Sequence, residues 1–336
     1  MEAAVRDRQR SLRIARAAPA CLLLAGCEGV QSTLAPTGPQ AQHIAQLFWV
    51  MVAGSGAIML MVILVTAIAL FAPPRRRAFL ARDTVVLAGG LIFPVATLSA
   101  LLVYGLVMLG AGPGKLAASP VRIEVAGERW WWRVVYRDDA GSTVESANEL
   151  RIPLGRAVKI ELTSDNVIHS FWAPKLAGKL DMIPGRKTAL TLSAEQAGVS
   201  RGQCAEYCGG AHALMAFNVV AMPQNEYDEW RLREFQPAQE PATQVTREGK
   251  ALFLSHGCGA CHTIRGTPAA GRLGPDLTHL GGRISIGAAI LATDEASIAR
   301  WIKHNQDIKP SNLMPAFDIF SESELLVLSR YLASLR

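Results

Sequence analysis

Hydrophobic and polar positions alternate in three different ways along this chain of 336 residues. Residues 29–74 contain no Asp, Glu, Lys or Arg, and residues 47–72 within them are almost continuously apolar. A second uncharged run covers residues 84–110. Each is long enough to cross a hydrocarbon layer of about 30 Å, so the pattern predicts two membrane helices at about 47–72 and 85–110. Pro94 falls inside the second, where a membrane helix tolerates it. From residue 120 the period becomes two. Val121, Ile123 and Val125 alternate with polar residues, as do "AVKIELTS" (157–164), "TALTLS" (188–193) and the start of "FNVVAM" (217–222). Short alternating runs separated by turn residues predict a β-sandwich over residues 117–225. Taken as one strand, "RWWWRVVY" puts Trp130 and Trp132 on one face and Trp131 on the other. After the Pro-rich connector "PAQEPAT" (237–243) the pattern is helical. It predicts a helix from near Thr246, a second over "TDEASIARWIKHN" capped by Thr293, and a third opened by a Ser321–Glu324 capping box.

Charge narrows the partners. The net charge of +6 is unevenly placed. Arg6, Arg8, Arg10, Arg13 and Arg16 against Glu2 and Asp7 leave +3 in residues 1–26, whereas residues 115–235 hold fifteen basic and fifteen acidic residues. Without a basic stripe, a nucleic-acid-binding role is excluded. The basic start followed by "APACLLLAGC" reads as a signal segment, and "LAGC" (24–27) resembles the lipobox of bacterial lipoproteins, which makes Cys27 the expected lipidated first residue. An ordinary signal peptide is the alternative. Arg75, Arg76, Arg77 and Arg82 lie between the two spans and place that loop in the cytoplasm, with both chain ends outside.

Two segments carry chemistry. "CAEYCGGAHALM" (204–215) gathers Cys204, Cys208, His212 and Met215 on one loop between strands, and His169 lies upstream in "NVIHSFWAPKL". Thiolates, a thioether and imidazoles together favour copper. A single blue-copper ion needs one thiolate, whereas two thiolates spaced by three residues bridge two ions, an arrangement suited to electron transfer. A disulfide or a structural zinc is the competing reading, but neither uses Met215 or His169. The second segment is "CGACH" (258–262), a C-x-x-C-H pentapeptide that reads as covalent haem c attachment through Cys258 and Cys261 with His262 on the iron. A zinc or redox pair is its alternative. Met314, the one methionine of the C-terminal region, is the expected sixth ligand, with His256, His279 and His304 as substitutes.

Together, "HSFWAPKL", "KLDMIPGR" and "CAEYCGGAHALM" resemble subunit II of the haem-copper cytochrome c oxidases over about residues 40–230, and the C-terminal segment resembles class I cytochromes c. In combination they resemble the caa-type arrangement. The resemblance implies a lipoprotein signal (1–26), an N-terminal segment with the two-helix hairpin (27–114), a cupredoxin-like sandwich (115–235), a linker (236–245) and an all-α cytochrome c domain (246–336). It implies a dinuclear copper A (CuA) centre held by His169, Cys204, Cys208, His212, Met215 and the carbonyl of Glu206. The Glu206 carboxylate and Asp181 would lie near a magnesium shared with subunit I. The tryptophans 130, 131 and 132 (Trp130, Trp131, Trp132) would be where electrons enter from cytochrome c. The implied function is electron transfer from a cytochrome c donor through haem c and CuA to haem a of subunit I. There dioxygen is reduced to water with proton pumping, in a bacterial inner membrane with the redox domains in the periplasm. The acidic residue that marks proton uptake in related subunits has no counterpart before Pro94 except Asp83. A quinol oxidase subunit would lack the copper ligands. A tethered shuttle or copper-handling protein would lack an oxidase partner, and a nitrous oxide reductase would lack the hairpin.

Overall fold

The computed structural model describes residues 28–110, 121–138 and 140–336. Cys27 and the preceding segment lie outside the described residues, as does the stretch 111–120. The chain divides into two compact units, residues 40–116 and the remainder.

The first unit is helical. α1 (Pro39–Phe71) begins eight residues before the apolar run, because the polar but uncharged segment ahead of it is equally compatible with a helix. A short α2 (Pro74–Leu80) carries three of the loop arginines. α3 (Asp83–Leu87) passes through a π-turn (Ala88–Ile92) into α4 (Phe93–Gly110). The π-turn falls just before Pro94, which has no N–H to donate to the preceding turn, so the widened turn accommodates the missing bond. Thr97 Oγ1 donates to the carbonyl of Phe93 at 2.8 Å and occupies the acceptor one turn back. Leu47 and Met51 of α1 and Leu98, Leu102 and Leu106 of α4 line one apolar groove. Among the described residues, two helices are long and apolar enough to cross a membrane, and their apolar side chains are exposed.

The second unit begins with a β-sandwich. β1 (Val121–Gly127), β2 (Trp132–Arg137), β3 (Thr143–Ala147), β5 (Val158–Ser164) and β8 (Thr188–Leu192) form one sheet in the order β3-β2-β1-β5-β8. The other has the order β4-β10-β9-β6-β7, with β4 (Glu149–Pro153), β6 (His169–Trp172), β7 (Leu180–Met182), β9 (Gly198–Cys204) and β10 (Ala216–Met222). β1 and β5 pair in parallel, as do β4 and β10. The inward positions of β1, β2 and β5 (Ile123, Val125, Val134, Ile160, Leu162) are fully buried against Phe171 and Phe217 of the facing sheet. Only Asn148 separates β3 from β4, which lie in different sheets. Its φ of 59° turns the chain sharply between them. Its side-chain oxygen accepts from the Trp132 N–H at 2.9 Å.

The tryptophan run does not form one strand. Glu128 N–H donates to the Trp131 carbonyl at 2.9 Å, which closes a turn between Gly127 and Trp132, the last register pair of β1 and β2. The polar residues Glu128 and Arg129 supply that turn. Trp130 and Trp131 therefore sit in the turn, and strand alternation does not apply to them. Trp132 opens β2 and is fully buried, edge-on to Phe171 and Phe217.

After α5 (Gln224–Glu234) come α6 (Gln244–Ser255), a small hairpin of β11 (Ser285–Ile286) and β12 (Leu291–Ala292), α7 (Glu295–Ile308) and α8 (Glu322–Ser334). α6 and α8 cross closely at Gly249, where a methyl group would lie 2.5 Å from Tyr331 Cβ. Thr243 caps α6 and Ser321 caps α8 through a capping box with Glu324. α7 is capped one residue later than expected. Asp294, not Thr293, accepts from Ser297 N–H at 2.8 Å, because a carboxylate is an acceptor with its charge toward the helix N-terminus. Thr293 Oγ1 is buried without a partner.

Candidate metal and haem sites

Cys204 ends β9, Met215 immediately precedes β10, and the loop between them returns Cys208 and His212 to the same end of the sheet. His169 opens β6, the neighbour of β9. Cys204 Sγ lies 3.7 Å from Cys208 Sγ, 3.7 Å from His169 Nδ1 and 3.2 Å from the Glu206 carbonyl oxygen. Cys208 Sγ lies 3.5 Å from His212 Nδ1 and 3.9 Å from Met215 Sδ. The two sulfurs are thus the centre of the arrangement, each with its own imidazole. His169, Cys204, Cys208 and Met215 are buried. His169 Nε2 lies 3.3 Å from Asn166 Oδ1, which fixes the ring and leaves Nδ1 as the lone-pair nitrogen toward Cys204. Gly127 is required here, because a Cβ at that position would lie 2.6 Å from the His169 ring. Asn166 and Gly127 were not singled out by the sequence. The residue two before Gly127 on the alternating strand was, but only the pairing of the sheets shows what β1 faces.

The thiols are poised as a pair. The hydrogen bond from Cys208 holds the Cys204 thiol far down, at about 3, while the same contact and burial push Cys208 well up. Two adjacent thiolates repel in a buried site, so the second forms only when a cation arrives. Two thiolates, two imidazoles, a thioether and a carbonyl form a soft, closed donor set that fits a pair of copper ions. Asp181 lies on β7 opposite Ser170, and its carbonyl accepts from the Thr188 hydroxyl at 3.1 Å. Glu206 Oε1 accepts from Tyr207 N–H.

Cys258, Cys261, His262 and Met314 line one cavity of about 220 Å³ in the helical domain. A short 3₁₀ turn (Cys258–Ala260) sets the two thiols, and His262 N–H donates to the Cys258 carbonyl at 3.0 Å. His262 Nδ1 donates to the Pro275 carbonyl at 2.8 Å, so Nε2 is free to ligate. Burial pushes the His262 pKa down, which keeps that nitrogen unprotonated. Gly274 gives the ring its place: a Cβ there would lie 2.5 Å from His262 Cε1. Met314 is held through its backbone, with N–H donating to Asn312 Oδ1 and its carbonyl accepting from Gln306. His256 packs against Phe320 with the rings tilted, His279 bonds the Gln236 carbonyl, and His304 faces Asp307; none of them lines the cavity. Arg283 does, and its Nε is buried without a partner. An orphaned guanidinium nitrogen in a cavity with two thiols, an imidazole and a thioether fits a haem carrying carboxylate side chains.

Trp130 and Trp131, from the sandwich, line the same cavity. Trp130 Nε1 donates to the Cys208 carbonyl at 2.9 Å. Trp131 stacks under the Arg133 guanidinium, 4.7 Å from the ring centre. Trp132 stays in the sandwich core, 6.2 Å from the His169 ring centre. The structure thus divides the three tryptophans between two places.

A cupredoxin-like sandwich whose loop gathers two thiols, two imidazoles and a thioether, joined to a helical domain with a C-x-x-C-H cavity, defines the class as a two-domain protein with candidate copper and haem sites. Residues 138–222 match the family model for the periplasmic domain of cytochrome c oxidase subunit II, and residues 246–336 match that for cytochrome c. By these two matches the chain carries a domain of the cytochrome c oxidase subunit II type followed by a cytochrome c domain. Among curated relatives, cytochrome c oxidase subunit 2 of Alkalihalophilus pseudofirmus is 37% identical over 216 residues, covering 64% of this chain and 61% of that one. Cytochrome c oxidase subunit 2 of Bacillus sp. PS3 is 32% identical over 228 residues, covering 64% and 62%. The match therefore spans about three fifths of the relatives' length. Among solved structures, the periplasmic domain of subunit II of the Bradyrhizobium japonicum cytochrome oxidase is 26% identical. It covers 35% of this chain and 96% of that one, with a TM-score of 0.33.

Proposed function

We propose that this chain carries electrons into a haem-copper oxidase, from a cytochrome c donor to haem c, then to CuA, then to haem a of subunit I, where dioxygen is reduced with proton pumping. One observation carries the reading. Trp130 lines the cavity bounded by Cys258, Cys261, His262 and Met314, and the same indole donates to the carbonyl of Cys208. One aromatic side chain thus touches both redox sites. Haem c and CuA, when bound, supply one-electron carriers that change little in geometry between their two states. His262 and Met314 would hold the first, and the unpartnered Arg283 Nε would be available to its carboxylates. His169, Cys204, Glu206 through its carbonyl, Cys208, His212 and Met215 hold the second. The buried β-sandwich fixes these donors before the metal binds, which limits rearrangement on electron transfer.

The chain is tethered, so the haem domain meets the copper site without diffusion, and the external donor docks on the cytochrome domain. That domain has ten basic and eight acidic residues over 241–336, so steering by net charge is weak. Glu206 and Asp181 would supply carboxylates to a magnesium shared with subunit I. The arginine-bearing loop lies in the cytoplasm, and both redox domains lie in the periplasm of a bacterial cell.

The test is purification of the chain from its native membrane. A large haem-a-containing subunit is expected to copurify, and stopped-flow reduction should show haem c reduced before copper. Copper reduced first, or a chain that purifies alone, would refute the reading. Lipidation at Cys27 predicts an N-terminal peptide that begins with a diacylated cysteine. Mass spectrometry showing an unmodified Cys27, or cleavage elsewhere, would remove the anchor from the proposal.

A further inference from the structure

We infer that Lys309 is a positioning residue that holds the sixth-ligand loop of the haem site against the copper-ligand loop. The inference rests on the proposed function, because those loops matter together only if electrons cross between them. Lys309 follows α7 and begins the segment that leads to Met314. Its side chain is 3% exposed, an unusual place for an ammonium. Nζ donates to the Trp130 carbonyl at 2.6 Å and to the Gly287 carbonyl at 3.2 Å. Among the described residues its hydrogen-bond partners are carbonyl oxygens, one in each domain, and no carboxylate neutralises it. Burial pulls its pKa down to about 7, so the fold bears a desolvation cost to keep the group there.

Two further contacts show what the lysine secures. Trp130 passes from the Lys309 contact at its carbonyl to the Cys208 carbonyl at its indole. A Cβ built on Gly210, between the ligands Cys208 and His212, would lie 3.1 Å from Ser311 Oγ and 3.2 Å from Ser311 Cβ. The copper loop and the loop that leads to Met314 therefore touch, with no side chain between them at Gly210. Other bonds join the domains around this point. Arg272 pairs with Glu145, Arg151 donates to the Gly282 carbonyl, and Arg201 donates to the Ala289 carbonyl. Loss of Lys309 then leaves the domains docked at the periphery but loosens the approach of the two ligand loops.

The experiment compares the wild-type oxidase complex with Lys309→Met. Copper content, haem spectrum and the haem midpoint potential should stay at wild-type values, and the copper potential, lowered by loss of the charge near Cys208, is measured so that the rate is compared at equal driving force. The haem-to-copper transfer rate should fall about tenfold, the lower end of what losing a charge-assisted hydrogen bond does to an equilibrium. Hydrogen exchange in segments 208–212 and 309–314 should rise, a readout independent of turnover. A transfer rate within about twofold of wild type, or unchanged exchange in both loops, overturns the role of Lys309. If Lys309→Met fails to take up haem, Lys309→Gln decides. It keeps an N–H donor without charge and should give an intermediate rate, whereas a wild-type rate overturns the proposal. If the wild-type complex itself passes no electron from haem c to copper, the proposed function fails and this role with it. If wild type transfers and the variant equals it, only the role of Lys309 fails.

Discussion

Cys204→Ser should abolish the paired copper centre in an otherwise folded chain. The two sulfurs lie 3.7 Å apart with one imidazole beside each. Removal of either thiolate leaves one bridging donor, and a hydroxyl is a poor, hard substitute for soft copper. Cys208→Ser should do the same. The expected result is copper per chain falling from two to one or none, with loss of the mixed-valence paramagnetic spectrum, while haem c content is unchanged. The sandwich should remain folded, because serine is close to cysteine in volume and the two cysteines are a small part of a core built on Trp132, Phe171 and Phe217. A serine variant that retained both coppers with a normal spectrum would rule out thiolate bridging.

Met314→Leu should have its effect on the other side of the Trp130 contact. Leucine fills a similar volume in the cavity wall but offers no lone pair. The backbone bonds that hold this loop, from Met314 N–H to Asn312 and from Gln306 to the Met314 carbonyl, do not need the sulfur. The haem spectrum and midpoint potential should change, because the axial ligand sets both. Copper content should not change, and the haem-to-copper step should slow. An unaltered haem spectrum would show that another group supplies the sixth ligand.

The candidate donors of the 204–215 loop and of the 258–262 pentapeptide were legible because their chemistry is local. Four soft donors on one twelve-residue loop, and two thiols and an imidazole in five residues, follow from covalent spacing alone. The capping box at Ser321 and Glu324 was equally local. The tryptophan run was misread for the opposite reason. Alternation assumes a strand, and whether a strand continues or turns depends on its partner. The pairing of Gly127 with Trp132 forces the reversal at residues 128–131. Thr293 and Asp294 are both good caps by type, and only the backbone at the start of α7 selects the carboxylate.

By itself, the sequence determined the two apolar spans, the period-two region, the helical C-terminal domain and the candidate donor residues. Those depend on periodicity, on apolar length and on ligand type, all properties of neighbouring residues. Only the tertiary structure decided that Gly127 makes room for His169, that Asn166 orients that ring, and that Trp130 lies between the Cys208 loop and the cavity lined by Cys258 and Met314 while Trp132 fills a core. Likewise, nothing near Lys309 in sequence distinguishes it from a solvated lysine at a helix end. Its burial exists because residues 130, 287 and 309 meet, and contacts between segments so far apart are set by the packing of two domains, which no local pattern encodes.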